Sequence, residues 1–186
     1  MRALAMHRLW LAAALCVVQG LAATAWAQDV TVQRESAIKA AFLYKFASFV
    51  EWTGTAGPQA SEPLVIGVLG NELVAADLER VVAGRLVEGR PVATRRLREG
   101  DAMTGVHVLL VGAMRESRLR EALAAVPGAV LVVTEQDGGL RSGGVLNFSG
   151  EAGRVRFSAS LSSAAERGLK LSARLLAVAQ SVEGRP

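Results

Sequence analysis

The sequence predicts an α/β fold: a single three-layer domain whose mostly parallel sheet is flanked by helices and ends in a C-terminal antiparallel hairpin. Three observations carry this. The runs Leu64–Leu69, Val106–Val111 and Ala129–Thr134 are largely apolar, the composition of strands buried on both faces. Segments of helical spacing separate them. Finally, Arg154–Ser160 alternates with a period of two, Val155, Phe157 and Ala159 against Arg154, Arg156, Ser158 and Ser160, as a half-buried strand requires. Val145–Phe148 is its expected partner, with Ser149–Gly153 as the hairpin loop.

Met1–Ala27 has the pattern of an export signal. Arg2 and Arg8 precede a nearly continuous apolar stretch, Leu9–Ala23, and Ala25-Trp26-Ala27 supplies a small-x-small cleavage site. The stretch is shorter than the roughly 20 residues a membrane-spanning helix needs. The expected organisation is a signal peptide over 1–27 and one domain over 28–186, located in the periplasm. Cys16, the single cysteine, leaves with the signal, so the domain would have neither disulfide nor thiol chemistry. Loss of Arg2 and Arg8 lowers the net charge from +4 to +2, which weakens the case for an anionic partner such as nucleic acid.

Arg34–Trp52 is predicted as one helix, with Ile38, Phe42, Leu43, Phe46, Phe49 and Val50 on its apolar face. Lys39 falls inside that arc. Trp52 ends the helix beside a Gly- and Pro-containing loop, Thr53–Pro63. After the first strand, Asn71 is a candidate cap for a helix whose stripe is Val74, Leu78, Val81 and Val82. Gly84–Gly89 reads as a turn, and Pro91–Leu97 as a strand whose proline marks its first residue or an edge position. Arg115–Ala125 is helical in pattern and Pro127-Gly128 stops it. Beyond the hairpin, Leu171, Leu175, Val178, Ala179 and Val182 recur at three and four residues, predicting a C-terminal helix flanked by Lys170 and Arg174.

No catalytic constellation emerges. Gly67–Asn71 lacks the glycine spacing of a dinucleotide loop and the lysine of a P-loop. Gly139–Gly143 does not centre its serine as a nucleophile elbow does. His107 is the only histidine after residue 27 and sits in an apolar strand, where a structural role is expected. Glu135 and Asp137, the nearest acid pair after a strand end, read as turn-setting. No catalytic residue, cofactor or metal site is predicted. Arg90, Arg95, Arg96 and Arg98 form the densest basic cluster but lack the aromatic residues of a nucleic-acid surface, so a solvated edge is expected.

Several segments carry a resemblance: KAAFLYKFASFVEW at 39–52, IGVLGNELVAADL at 66–78, GRLVEGRPVATRRL at 84–97, VHVLLVG at 106–112, then GGVLNF, GRVRF and GLKLSARLL. In order and spacing they resemble the YfiR family across nearly the whole predicted domain. The resemblance implies a periplasmic protein, not an enzyme, that binds the periplasmic sensory domain of an inner-membrane diguanylate cyclase. Binding would repress the cyclase, lowering cyclic di-GMP and biofilm formation. An outer-membrane lipoprotein and a second copy of the chain are further expected partners; nucleic acid is not. The alternative is a periplasmic small-molecule-binding accessory of a sensor kinase or transporter.

Arg154, Arg156, Lys170 and Arg174 are expected to form one basic docking face, because four cations fall in the segment most like the family signature. Trp52 and its loop are the next expected contact. The chain departs from the family pattern in two respects. Gly67 and Val106 stand where many relatives have cysteine, which closes redox sensing through cysteine pairs, and Ser160 stands where the family has asparagine.

Overall fold

The computed structural model describes residues 31–53, 62–151 and 154–184. The predicted export signal, most of the loop after Trp52 and the tip of the hairpin lie outside them. The chain divides into two compact units, Met1–Glu35 and Ser36–Pro186. Of the first, residues 31–35 are described and are helical. The second contains the sheets and the remaining helices.

The first helix, α1, covers residues 31–46. A short 3-10 turn, Ala47–Phe49, follows it and leads into strand β1, Val50–Trp52. The helix predicted through to Trp52 therefore stops six residues early. The last three residues instead pair antiparallel with β9, Leu169–Leu171. Helical spacing alone could not detect a partner more than a hundred residues away.

The main sheet contains β2 (Leu64–Leu69), β3 (Leu86–Val87), β4 (Arg90–Leu97), β5 (Val108–Val111), β6 (Leu131–Thr134), β7 (Leu146–Glu151), β8 (Arg154–Ser160) and β10 (Ser181–Glu183). Their order is β10-β8-β7-β6-β5-β2-β4-β3. Only the β3–β4 and β7–β8 pairs are antiparallel. Strand β3 lies in the stretch expected to be only a turn. Glu88 and Gly89, both at positive φ, link it tightly to β4, and Pro91 sits near the sheet edge as its missing N–H demands.

The apolar strands are buried on both faces, as expected. Val108, Leu110, Leu131 and Val133 belong to one core, while Leu109, Val111 and Val132 belong to the other. Helices α1 and α2 (Glu72–Val82) cover the first core, and α3 (Glu116–Ala124) covers the second. Asn71 caps α2 as predicted, its Oδ1 accepting from the Val74 N–H at 3.0 Å. The first core is centred on four rings that join α1 to the hairpin. Phe46 lies 4.9 Å from Phe157 and 5.7 Å from Phe148, and Phe42 stands 5.8 Å from Phe157.

The hairpin pairs Phe148 with Phe157 and Glu151 with Arg154, so its strands run further than expected and its loop is shorter. Past it, the predicted C-terminal helix does not form. Helix α4, Leu161–Glu166, is capped by Ser160 and followed by Gly168 at φ 65. Strand β9 comes next, then a five-residue helix α5, Ala173–Ala177, capped by Ser172, and then β10. Of the supposed stripe only Leu175 is buried; Val178 is 68% exposed and Val182 42%. Leu169-Lys170-Leu171 already alternates in and out, and cross-strand pairing overrode the helical spacing around it.

Candidate functional site

Most of the predicted docking residues lie where the β1–β9 ribbon meets α4 and α5. The register sets Trp52 opposite Leu169 and Glu51 opposite Lys170. Leu169 is buried and Lys170 exposed, so the ribbon turns Trp52 inward and Lys170 outward. Trp52 packs partly buried against the first core, and its indole N–H donates to the Ala129 carbonyl at 3.0 Å. It anchors the ribbon. Lys170 makes no ion pair or side-chain hydrogen bond among the described residues. Arg174 is exposed on α5, just beyond β9.

Arg154 and Arg156 are exposed on β8. They leave the sheet on the side opposite Phe157 and Ala159, whereas Leu169 and Leu175 pack into the same core as Phe157. The four cations thus form two pairs on different sides of the sheet. The ribbon brings together Lys170, Arg174 and, on its inner side, Trp52.

Beside Lys170 lies a cavity of about 550 Å³. Leu161 and Ala164 of α4, Leu169 and Leu171 of β9, and Leu176 of α5 wall it. At one end, both the backbone N–H and the hydroxyl of Thr53 donate to the Gly168 carbonyl, at 2.9 and 2.8 Å. Sequence spacing had assigned Leu171 to a helix stripe, which hid this hollow between three elements.

A buried polar cluster was also missed. The Lys39 ammonium lies 2.9 Å from Glu135, with the two side chains only 13% and 7% exposed. The Asn71 amide donates to the second Glu135 oxygen at 2.8 Å. Nearby on α1, the Ser36 hydroxyl donates to Asp77, which also pairs with Arg80 at 2.9 Å. Glu135 therefore ties α1 to the carboxyl ends of β2 and β6; its role exceeds setting a turn. The available signal was Lys39 itself, because a charge on an apolar helix face needs a buried partner.

Three arginines of the basic cluster, Arg90, Arg95 and Arg96, are hydrogen-bonded, while Arg96 and Arg98 are exposed, as a solvated edge requires. Arg96 bonds Glu79 twice, at 2.8 and 2.9 Å, and Glu72 once. These bonds hold Glu79 below the usual carboxylate range and raise the Arg96 guanidinium further. Arg95 donates to the carbonyls of Ala102 and Thr104. His107 is the structural histidine anticipated: its Nδ1 accepts from the Val65 N–H at 3.1 Å, and burial lowers its pKa from the ordinary value. Gly67 and Val106 are neighbours. A Cβ at Gly67 would meet Val106 Cγ1 at 3.1 Å and Leu97 Cδ1 at 2.9 Å, so aliphatic carbon fills the space between the two positions. Ser160 is buried and caps α4.

Among the described residues no three His, Cys, Asp or Glu side chains converge to hold a metal, and no helix is long and apolar enough to cross a membrane. What the fold does offer is exposed charge and an apolar hollow on an α/β frame. The chain belongs to the YfiR/HmsC-like family, whose model matches residues 36–180. No curated protein matches the chain in sequence. Among solved structures, a conserved domain protein from Vibrio cholerae O1 biovar El Tor N16961 matches with a TM-score of 0.47 and 14% identity. That match covers 64% of this chain and 54% of the other, so the chain spans about half of that protein.

Proposed function

We propose that the chain is exported to the periplasm, docks on the periplasmic sensory domain of an inner-membrane diguanylate cyclase and represses it. The family match over residues 36–180 carries this reading. Repression of this kind is a population shift. Moving a partner from 1:99 to 99:1 in favour of its inactive form takes about 5.5 kcal/mol of differential binding, and that requires a docking surface rather than an active site. The surface assigned here is the outer side of the β1–β9 ribbon with α5, where Lys170 and Arg174 meet the partner directly. Arg154 and Arg156, on the other side of the sheet, add long-range attraction for an acidic partner.

Intracellular cyclic di-GMP, measured in a strain carrying the cognate cyclase, tests the reading. Lys170→Glu with Arg174→Glu should abolish repression and leave the fold intact, while Arg154→Glu with Arg156→Glu should cause a smaller loss. Wild-type binding to the sensory domain should weaken with salt, since exposed charges are screened beyond about 10 Å at 0.1 M. Full repression by a well-folded Lys170/Arg174 variant would remove the ribbon from the interface. Export is checked by intact mass: the periplasmic form should begin at Gln28, and retention of residues 1–27 would contradict it.

A further inference from the structure

We infer that the cavity between α3 and the loop after β4 is a binding site for a short linear aliphatic diamine. It lies at the carboxyl ends of three adjacent parallel strands: Leu69 closes β2, Glu99, Asp101 and Met103 follow β4, and Met114 follows β5. From β2 the chain passes through α2 to β4 on one side, then crosses to β5 on the other, and α2 and α3 cover opposite cores. Such a reversal of strand order is where open parallel sheets hold ligands, just outside the strand ends. The volume, about 350 Å³, suits a small molecule.

Floor and rim select the ligand. Buried Leu69 and Met103, with half-buried Met114 and Ala122, supply aliphatic and thioether surface, and thioethers adapt readily to a methylene chain. The Met114 N–H donates to Gln136 Oε1 at 2.8 Å, which fixes that wall. On the rim, α3 presents Arg118, Glu121 and Ala125 at three- and four-residue spacing, one stripe of the helix. The β4 loop presents Glu99 and Asp101. Arg118 donates to Glu99, bridging loop and helix, whereas Glu121 makes no ion pair or hydrogen bond among the described residues. Three carboxylates and one guanidinium leave an excess of two negative charges, shared between two walls. These acids do not converge as a metal site would, since no three His, Cys, Asp or Glu side chains among the described residues could hold one ion. A dication whose charges are separated by methylenes matches that layout. Each ammonium meets a carboxylate at the rim and stays partly hydrated, while the methylenes cover the apolar floor.

This inference concerns the chain alone and does not rest on docking to a cyclase. Met103 and Met114 are the only methionines after residue 27, so labelling the methionine methyls of the exported chain for NMR puts both probes in the cavity wall. Titration with cadaverine should shift both methyl signals saturably, and calorimetry should give one site. Pentylamine, with a single charge, should bind about two- to fivefold more weakly, the worth of one exposed ion pair. Glutarate, of the same length and opposite charge, should not bind. Glu121→Gln should weaken cadaverine by about two- to fivefold and narrow its advantage over pentylamine. Ala122→Trp and Ala125→Trp, filling the hollow from α3, should each abolish binding. Glu121 is exposed, so its variant stays decisive even if neither of these folds. The inference is overturned if cadaverine leaves the two methyl signals unmoved, or if a folded tryptophan variant or Glu121→Gln binds it as the wild type does. It is equally overturned if magnesium chloride shifts both signals as strongly as cadaverine, which would make the rim a counterion patch.

Discussion

Replacing Phe157 by alanine should cost about 3–5 kcal/mol, the usual range for deleting a buried aromatic side chain. The structure accounts for this figure in parts. Phe157 is 2% exposed, so truncation forfeits nearly all the transfer free energy of a phenyl ring, about 1.5–3 kcal/mol. It also removes the edge-on contacts with Phe46 at 4.9 Å and Phe42 at 5.8 Å, each worth about 0.5–1.5 kcal/mol. With a urea m-value of about 2 kcal/mol/M, the midpoint should fall by about 1.5–2.5 M. Phe157→Leu retains much of the volume and loses only the ring geometry, so it should cost about 1–2 kcal/mol. Arg156→Ala, one residue along and on the exposed face, should stay within about 0.5 kcal/mol. Equal losses for Phe157→Ala and Arg156→Ala would refute the register, because a one-residue slip exchanges the two faces of the strand. A loss below about 1 kcal/mol for Phe157→Ala would refute the four-ring core itself.

Two further outcomes follow from the buried polar groups. Lys39→Met alone should destabilise by about 3–5 kcal/mol by stranding Glu135, whereas Lys39→Met with Glu135→Leu should recover most of the loss in thermal melts; no recovery would show the pair is not buried as a unit. His107 is held neutral by burial, with Arg90 opposing its charge and Glu62 favouring it. Because its folded pKa is depressed, the unfolded chain takes up the proton first, so stability is full above about pH 6.5 and declines as pH falls towards the folded value. His107→Gln should flatten that part of the stability profile relative to wild type, and parallel profiles between pH 5 and 7.5 would contradict the assignment.

Much of the central architecture was legible because its signals are local. Leu64–Leu69 and Val106–Val111 announce two-sided burial by composition, Asn71 announces a cap, and Arg154–Ser160 announces its inward face by alternation. Each depends on the fixed geometry of a single strand or helix, which neighbouring residues determine by themselves. The family, too, was readable from the order of short motifs. Tertiary structure alone decided the ends of the elements and the site. Val50–Trp52 is a strand only because Leu169–Leu171 lies beside it, and the apparent stripe from Leu171 to Val182 dissolves into a strand, one helical turn and another strand for the same reason. The cavity exists only in the gap among α4, β9 and α5. Lys39 finds Glu135 ninety-six positions away. A short apolar run fits a helix or a strand almost equally well, and the partner that breaks the tie is remote in sequence, so pairing and burial settle what local spacing leaves open.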